Sequence, residues 1–171
     1  MQKPMPLEMN LCHRELQLRI QEKELFGRSR MFNELEKTFE LQEVNVAEYS
    51  PLTLAFMGDC VYEFIIRTKL IYRGNAPVNT LNKKSSALAK AQTQAKMIEG
   101  LFEELSEEEQ AAYKRGRNAN SHSKAKNATT GEYRKATGFE SLLGYLYLKK
   151  DFDRIMEIVK KGFEIIEGEK V

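Results

Sequence analysis

The sequence predicts an all-α fold, and three observations support that prediction. Apolar residues recur at helical spacing over long windows of the chain. Valine, isoleucine and threonine show no sustained alternation of the kind that half-buried strands display. Only four prolines occur in the 171 residues, at positions 4, 6, 51 and 77, so the chain after position 77 is free of this helix breaker. A bundle of long helices is therefore the expected architecture.

The first predicted helix has the clearest start. Ser50 is a favourable N-cap, and Pro51 suits the first helical position because its missing N–H needs no partner there. The helix is then apolar on most of its faces up to Gly74, which predicts burial at the centre of the bundle. Within it, Cys60 is interpreted as a small buried residue, and Tyr62 as an aromatic of the core or of a dimer interface.

Four more helices are predicted to follow. The second begins after Pro77 and continues without a break to Leu105. Ser106 and Glu109 have the spacing of a capping box and start a short third helix. Residues 118–131 (NANSHSKAKNATTG) are typical of a loop, and the last two helices cover residues 132–149 and 152–167. Residues 1–45 are predicted to be a helical or mobile extension of unknown role, and residues 46–171 to be the main domain.

Composition excludes several classes of protein. The longest apolar run, residues 142–148, is far shorter than the roughly 18–20 residues that span a membrane, and the N-terminus lacks the pattern of a secretory signal, so a cytoplasmic location is expected. Two cysteines and two histidines make a disulfide framework, a multi-histidine metal site and a histidine-dependent triad poor candidates. Any catalytic chemistry is therefore expected to depend on the carboxylates of Asp and Glu.

Charge is distributed unevenly along the chain. Residues 1–45 hold seven Lys/Arg and eight Asp/Glu, whereas residues 113–135 hold seven Lys/Arg against Glu132 alone. A basic stretch inside a nearly neutral protein indicates that a polyanion docks there, the alternative being an ordinary solvated surface.

Two acids interrupt apolar helices, Asp59 in LAFMGDCVYEF and Glu140 in TGFESLLGYLYL. Desolvating a carboxylate costs several kcal/mol unless a salt bridge, protonation or a bound cation compensates. Small residues beside both acids, among them Gly58 and Gly144, would let two helices cross closely enough for one cation to reach both carboxylates. Oxygen ligands suit Mg²⁺, and Glu63, one turn after Asp59, is a candidate third ligand. Together with the basic stretch, this favours phosphodiester hydrolysis.

The same segments resemble a known family. LAFMGDCVYE is similar to the signature of ribonuclease III catalytic domains, and TGFESLLGYLYL to the second catalytic helix of that family. The stretches NKKSSALAKAQTQA, KRGRNA and EYRKATGFE resemble Mini-ribonuclease III, the bacterial branch that consists of the nuclease domain alone. The resemblance covers about residues 50–167. Residues 1–45 have no counterpart that can be placed in the family.

The resemblance implies a ribonuclease III-type helical endonuclease domain that dimerises, binds Mg²⁺ and cuts both strands of double-stranded RNA, leaving 5′-phosphate ends. It also implies processing of the ends of large-subunit ribosomal RNA precursors, and leaves open whether a ribosomal protein presents the substrate. By the match of motifs, Asp59 and Glu140 are the catalytic and metal-binding residues.

The residues predicted to contact the RNA backbone are basic or small polar ones at helix ends and in the loop. They are Lys83, Lys84, Ser85, Ser86, Arg115, Arg117, Asn118, Lys124, Lys126 and Arg134. Because A-form RNA offers a shallow minor groove with 2′-hydroxyls and phosphates, recognition by shape is expected.

This sequence departs from full-length ribonuclease III enzymes, which carry further acids at the positions of Leu52, Ala55 and Thr137. The departure favours one Mg²⁺ per subunit over two. It also leaves open a non-catalytic RNA-binding or ribosome-associated protein with a degenerate ribonuclease III fold. A helical nucleotide pyrophosphohydrolase is a weaker alternative, because its Glu-x-x-Glu pairs are represented only by Glu104 and Glu107 in a solvated segment.

Overall fold

The computed structural model describes residues 34–120 and 128–168. The chain divides into two compact units, Met1–Val44 and Asn45–Val171. In the first unit, the described residues 34–44 include a short helical segment at 34–38. In the second unit, the described residues form helices and turns with no β-strand, which confirms the all-α prediction.

The second unit begins with a 3₁₀ turn at Val46–Glu48, and another 3₁₀ turn, Phe102–Glu104, precedes its fourth helix. Its helices are α1 (Pro51–Ile71), α2 (Val78–Ala89), α3 (Ala91–Leu101), α4 (Glu107–Asn118), α5 (Thr130–Leu148) and α6 (Phe152–Gly168). None of the described helices is both long enough and apolar enough to cross a membrane.

Local capping signals start the helices where the sequence predicts them. The Ser50 hydroxyl accepts a hydrogen bond from the Thr53 backbone N–H at 3.1 Å and caps α1. At α4 both hydrogen bonds of the predicted capping box between Ser106 and Glu109 form. Each satisfies an N–H that the first turn of a helix leaves without a partner.

The unbroken second helix is a wrong prediction. Lys90, with φ −59° and ψ 143°, separates α2 from α3. Two side chains from the first turn of α3 satisfy carbonyls that the break leaves free. The Thr93 hydroxyl donates to the Ala87 carbonyl at 2.9 Å, and the Gln94 amide donates to the Ala89 carbonyl at 3.1 Å.

Helix α5 lies at the centre of the bundle. It packs most extensively against α1, then against α4 and α3, while α6 packs on α3. The largest fully buried apolar side chains come from α1, α3, α5 and α6: Leu54, Tyr62, Ile66, Met97, Ile98, Leu101, Phe139, Leu142, Leu143, Ile155 and Ile158. The predicted packing of Tyr62 in the core is confirmed, and its hydroxyl donates to the Leu88 carbonyl at 3.1 Å.

One face of α1 is exposed, although the sequence predicts burial on most sides. Leu52, Phe56, Phe64 and Ile71 are 38%, 81%, 56% and 61% exposed, and Cys60 lies exposed among them rather than buried. At 100° per residue these five positions lie on one side of the helix, with the exposed Arg67 between Phe64 and Ile71. We call this set the apolar stripe.

Candidate active site

The site lies where α1 crosses α5. A Cβ atom added to Gly58 would overlap the carbonyl oxygen of Glu140, and one added to Gly144 would overlap the carbonyl oxygen of Leu54. The two backbones are therefore in direct contact at this crossing, which only glycine permits. This confirms that small residues let the two acid-bearing helices approach closely, and it brings Asp59, next to Gly58, close to Glu140.

The two acids differ in burial. Glu140 is partly buried, whereas Asp59 is exposed, so the prediction that both acids are buried is wrong for Asp59. Desolvation still raises the pKa of the Asp59 carboxyl, and the Glu63 charge raises it further. Burial raises the pKa of Glu140 to about 7; a hydrogen bond from Gln94 opposes this change and the Asp59 charge adds to it. Each carboxylate is therefore less stable in its charged form than in water.

Neither acid is neutralised by a basic side chain in the described part of the chain. Gln94 donates from Nε2 to Oε1 of Glu140 at 2.9 Å, and this neutral amide is the polar contact of the Glu140 carboxylate there. Three ways to compensate these acids were a salt bridge, protonation and a bound cation. Within residues 34–120 and 128–168, no salt bridge to Asp59 or Glu140 is present. A raised pKa and a bound cation remain, and an added cation would reverse the pKa increase.

Glu63 is engaged elsewhere. Its Oε2 accepts from Arg67 Nε at 2.7 Å and from the Ser85 hydroxyl at 3.4 Å. It influences Asp59 through its charge, but it already has its own counter-ion. Among the described residues no group of three or more Asp, Glu, His or Cys side chains could hold a metal ion. Any cation here would therefore use the pair Asp59 and Glu140 together with water or substrate oxygens.

The pair fits a hard divalent cation in its donor chemistry. Both donors are carboxylate oxygens without a cationic partner among the described residues, and Mg²⁺ typically takes one or two protein carboxylates and keeps several waters. The residues present therefore suit such an ion better than they suit zinc, which favours cysteine and histidine.

The predicted RNA-contacting residues that the structure describes lie on three helices. Lys83, Lys84 and Ser86 on α2, Arg115, Arg117 and Asn118 on the last turns of α4, and Arg134 on the first turns of α5 are all exposed. Ser85 is 4% exposed and donates to Glu63, so its hydroxyl is not available to a phosphate, and the prediction for Ser85 is corrected. Lys124 and Lys126 lie outside the described residues.

Sequence reasoning missed Gln94. Its side chain is 2% exposed and contacts a residue 46 positions away in the chain. The segment AQTQAK that contains it carries no motif for such a role, and a polar residue on a helix start is usually solvated. The available signal is its place on the apolar side of α3, one residue before Ala95 and three before Met97, both of which are buried.

Comparison with known proteins identifies the class. Residues 52–151 match the family model described as Ribonuclease III domain, and this range contains both acids of the crossing. A crystal structure of a Fusobacterium nucleatum protein is similar, with a TM-score of 0.61 and 34% identity, covering 66% of this chain and 86% of that one. The fold and the site together define a ribonuclease III-type endonuclease domain.

Curated relatives identify the branch. The chain is 44% identical over 137 residues to the Mini-ribonuclease 3 of Thermoanaerobacter sp., which covers 80% of this chain and 96% of the relative. It is 48% identical over 120 residues to the Mini-ribonuclease 3 of Brevibacillus brevis, covering 70% and 90% respectively. The chain belongs to the Mini-ribonuclease 3 family and is an endoribonuclease. Ribonuclease III family members act on double-stranded RNA, generally as dimers and with a divalent metal.

Proposed function

We propose that this endoribonuclease hydrolyses double-stranded RNA with Mg²⁺ held by Asp59 and Glu140. The observation that carries the proposal is the carboxylate pair at the α1–α5 crossing, which has no basic partner among the described residues. The surroundings raise the pKa of both carboxyls, and a cation shared by the pair would favour their charged forms. A structural role would instead favour an arginine or lysine partner, which the same fold supplies to other acids.

Asp59 and Glu140 would have different roles in the site. Glu140 is fixed by the glycine-lined crossing and by Gln94, while Asp59 faces solvent from the neighbouring helix. A divalent cation at this place would supply charge neutralisation for the phosphodiester and lower the pKa of a coordinated water. Because Asp59 is exposed, a phosphate of a long duplex can reach the pair from outside without the protein opening.

The exposed basic residues support a duplex-binding surface. The charge comes from Lys83 and Lys84 on α2, Arg115 and Arg117 on α4, and Arg134 on α5, and the neutral Ser86 and Asn118 lie exposed beside them. We propose that they contact phosphates and 2′-hydroxyls, and that Lys124 and Lys126, which lie outside the described residues, also contact the RNA backbone. These contacts would recognise the duplex by shape rather than by sequence. Binding should weaken steeply with salt, because each neutralised phosphate releases counterions.

We propose that the apolar stripe of α1 is covered by the same stripe of a second copy. Phe56 is 81% exposed and Phe64 56% exposed, in a helix that is otherwise the partner of the central helix α5. A large exposed apolar face on a helix marks an interaction surface. A twofold dimer would place two carboxylate pairs on one duplex, one for each strand.

The dimer is tested by a substitution in the stripe. Phe56→Arg should convert a dimer to a monomer in light scattering, because the arginine would have to be buried. Tyr72→Arg is the matched control: Tyr72 is 88% exposed but lies on another side of the helix end, so the dimer should persist. A monomeric wild-type protein at micromolar concentration would contradict the proposed dimer.

For the biological substrate we propose the ends of a large-subunit ribosomal RNA precursor, cleaved in the cytoplasm to leave 5′-phosphates. The resemblance to Mini-ribonuclease III supports this proposal, as does the basic surface. Incubation of the protein with a structured ribosomal precursor should give discrete cuts near the mature ends. Whether a ribosomal protein is needed is tested by adding the ribosomal proteins that bind those ends to the same reaction.

A second candidate function is a non-catalytic RNA-binding protein with a degenerate fold. The observation that favours it is the absence of acids at three positions around the site. Leu52 is an exposed member of the apolar stripe, Ala55 is buried, and the Thr137 hydroxyl donates to the Tyr133 carbonyl in its own helix. The site thus depends entirely on Asp59 and Glu140.

Cleavage of a duplex RNA separates the two functions. The protein should cut it in Mg²⁺ and not in EDTA, and Asp59→Asn should lose cleavage while keeping salt-sensitive binding. Glu103→Gln, an exposed acid outside the site, is the control and should cut as the wild type does. Retained binding without any cleavage by the wild type in Mg²⁺ would instead support the non-catalytic function.

A further inference from the structure

Gln94 combines burial, a place at the start of a helix and a contact with one of the two acids. Its side chain is 2% exposed, it lies in the first turn of α3, and it reaches the carboxylate of Glu140 on α5. Nε2 donates both to Glu140 Oε1, at 2.9 Å, and to the Ala89 carbonyl, at 3.1 Å. The amide therefore links the break between α2 and α3 to one of the two acids.

The orientation of this amide is dictated by its partners. The Ala89 carbonyl can only accept a hydrogen bond, so the NH₂ end of Gln94 must face it. The same NH₂ group then supplies its second proton to Glu140. Because an N–H donor stabilises the charged form of a carboxylate, this contact favours a Glu140 that is ready to bind a cation.

The oxygen of the Gln94 amide is left without a partner in this arrangement, which is energetically unfavourable. Among the described residues, Gln94 Oε1 is the buried side-chain oxygen that has no hydrogen-bond partner. Leaving a buried acceptor unsatisfied is unfavourable, and an apolar residue of the same shape would avoid it. A residue selected only for packing between α3 and α5 would be a leucine or methionine.

Gln110 provides an internal comparison. It is partly buried, and its Nε2 donates to the carbonyls of Leu105 and Phe102, at 3.2 and 3.5 Å, where another helical segment ends. Its oxygen accepts from Lys114 at 3.3 Å, so the whole amide is used locally. Gln110 contacts two backbone carbonyls and a lysine one turn away, whereas Gln94 contacts a backbone carbonyl and the acid on α5.

We propose that Gln94 is a positioning residue for metal binding: its amide holds Oε1 of Glu140 and leaves the carboxylate available to the cation shared with Asp59. This inference rests on the metal site proposed above. Hydrogen-bond partners of metal-binding side chains typically contribute 10- to 100-fold to metal affinity. The amide would act through Glu140 and would not touch the RNA.

The test measures metal affinity without RNA. Mn²⁺ binding to the full chain is followed by calorimetry for the wild type, Gln94→Met, Gln110→Met and Glu140→Gln, with thermal melting of each variant. Gln94→Met should remain folded and bind Mn²⁺ about 10-fold more weakly or worse. Gln110→Met should bind within about twofold of the wild type, and Glu140→Gln should show no binding.

Cleavage gives a second readout that a folding defect would not mimic. The Mg²⁺ concentration for half-maximal cleavage should rise about 10-fold in Gln94→Met, while activity at saturating Mg²⁺ recovers toward that of the wild type. A partly unfolded enzyme would lose activity at every Mg²⁺ concentration. Gln94→Leu serves as the second variant where methionine does not fold.

The outcomes separate this inference from the proposed function. Wild-type Mn²⁺ affinity and Mg²⁺ requirement in Gln94→Met or Gln94→Leu, with binding lost in Glu140→Gln, would overturn the positioning role and leave the metal site intact. Equal losses in Gln94→Met and Gln110→Met would also overturn it, because they would show a general structural effect. Undiminished binding in Glu140→Gln would overturn the metal site itself.

Discussion

Glu109 and Glu140 are glutamates in neighbouring helices with opposite environments. Glu109, in the first turn of α4, accepts from Arg154 Nε at 2.7 Å and Nη2 at 3.0 Å, and from the Ser106 backbone N–H at 2.8 Å. These partners, led by Arg154, lower its pKa. Glu140 has a neutral amide instead, and burial raises its pKa to about 7. A carboxylate with a cationic partner and a full set of hydrogen bonds stabilises the fold, whereas a carboxylate without a cationic partner is available to a ligand.

The two acids should also respond to pH in opposite directions. The folded protein holds the Glu109 proton less tightly than the unfolded chain does, so the stability from Glu109 is lost as pH falls below the usual glutamate range. It holds the Glu140 proton more tightly, so without metal that stability is present at low pH and is lost as pH rises from about 4.5 to about 7.

The largest expected effect comes from removing the partner of Glu109. Arg154→Met leaves a buried carboxylate without its cation and should lower the free energy of unfolding by about 3 kcal/mol. The midpoint of urea denaturation measures this change, and the Mg²⁺ requirement for cleavage should stay that of the wild type. A lost metal dependence in this variant would show that the two regions are coupled.

Glu140→Gln should lower activity without lowering stability, which is the reverse of the effect expected for Arg154→Met. We expect cleavage of duplex RNA to fall by more than about 100-fold, because a metal ligand is worth more than the residues that orient it. Stability in metal-free buffer should not fall, since the change removes an unfavourably buried charge. Initial cleavage rates and denaturation midpoints, measured on the same preparation, check the expected loss of activity and the unchanged stability. Glu103→Gln is the control and should be unaffected in both.

The pH dependence of the unfolding free energy should differ between the wild type and Glu140→Gln. Metal-free protein at pH 8 should be less stable than Glu140→Gln by on the order of 2–3 kcal/mol, and the two should converge toward pH 5. Saturating Mg²⁺ should restore the wild type and leave the variant unchanged. Parallel curves from pH 5 to pH 8 would mean that Glu140 titrates as an ordinary surface acid.

The smallest effect concerns the cap that holds Glu109. Ser106→Ala removes the acceptor for the Glu109 backbone N–H and should cost about 1 kcal/mol in thermal or urea unfolding. Exposed Ser86→Ala, within α2, should cost much less. A loss as large as that of Arg154→Met would place the main support of Glu109 in the cap rather than in the ion pair.

The parts of the fold that could be predicted are those with local causes. The caps at Ser50 and Ser106 depend on residues three positions apart, and the close crossing at Gly58 and Gly144 follows from small residues beside each acid. The break at Lys90 has no such signal. No glycine or proline marks it, and its carbonyls are satisfied by side chains that could equally continue a helix.

The errors on α1 have a common physical reason. An apolar helix surface looks the same in sequence whether it faces its own core or a second molecule. Cys60 and Phe56 therefore suggested burial within the chain, yet both are exposed. Asp59 was misjudged with them, because it lies on the same helix at the edge of the solvated side. The contact between Gln94 and Glu140 was beyond sequence reasoning, since it depends on how three helices pack.

The most direct test of the shared cation is anomalous scattering from crystals of the full chain soaked in Mn²⁺. We expect one strong peak between α1 and α5, within about 2–2.5 Å of a carboxylate oxygen of Asp59 and of Glu140, and no peak in Glu140→Gln crystals. A peak bound to only one of the two acids, or a saturated crystal with no peak at the crossing, would contradict the account.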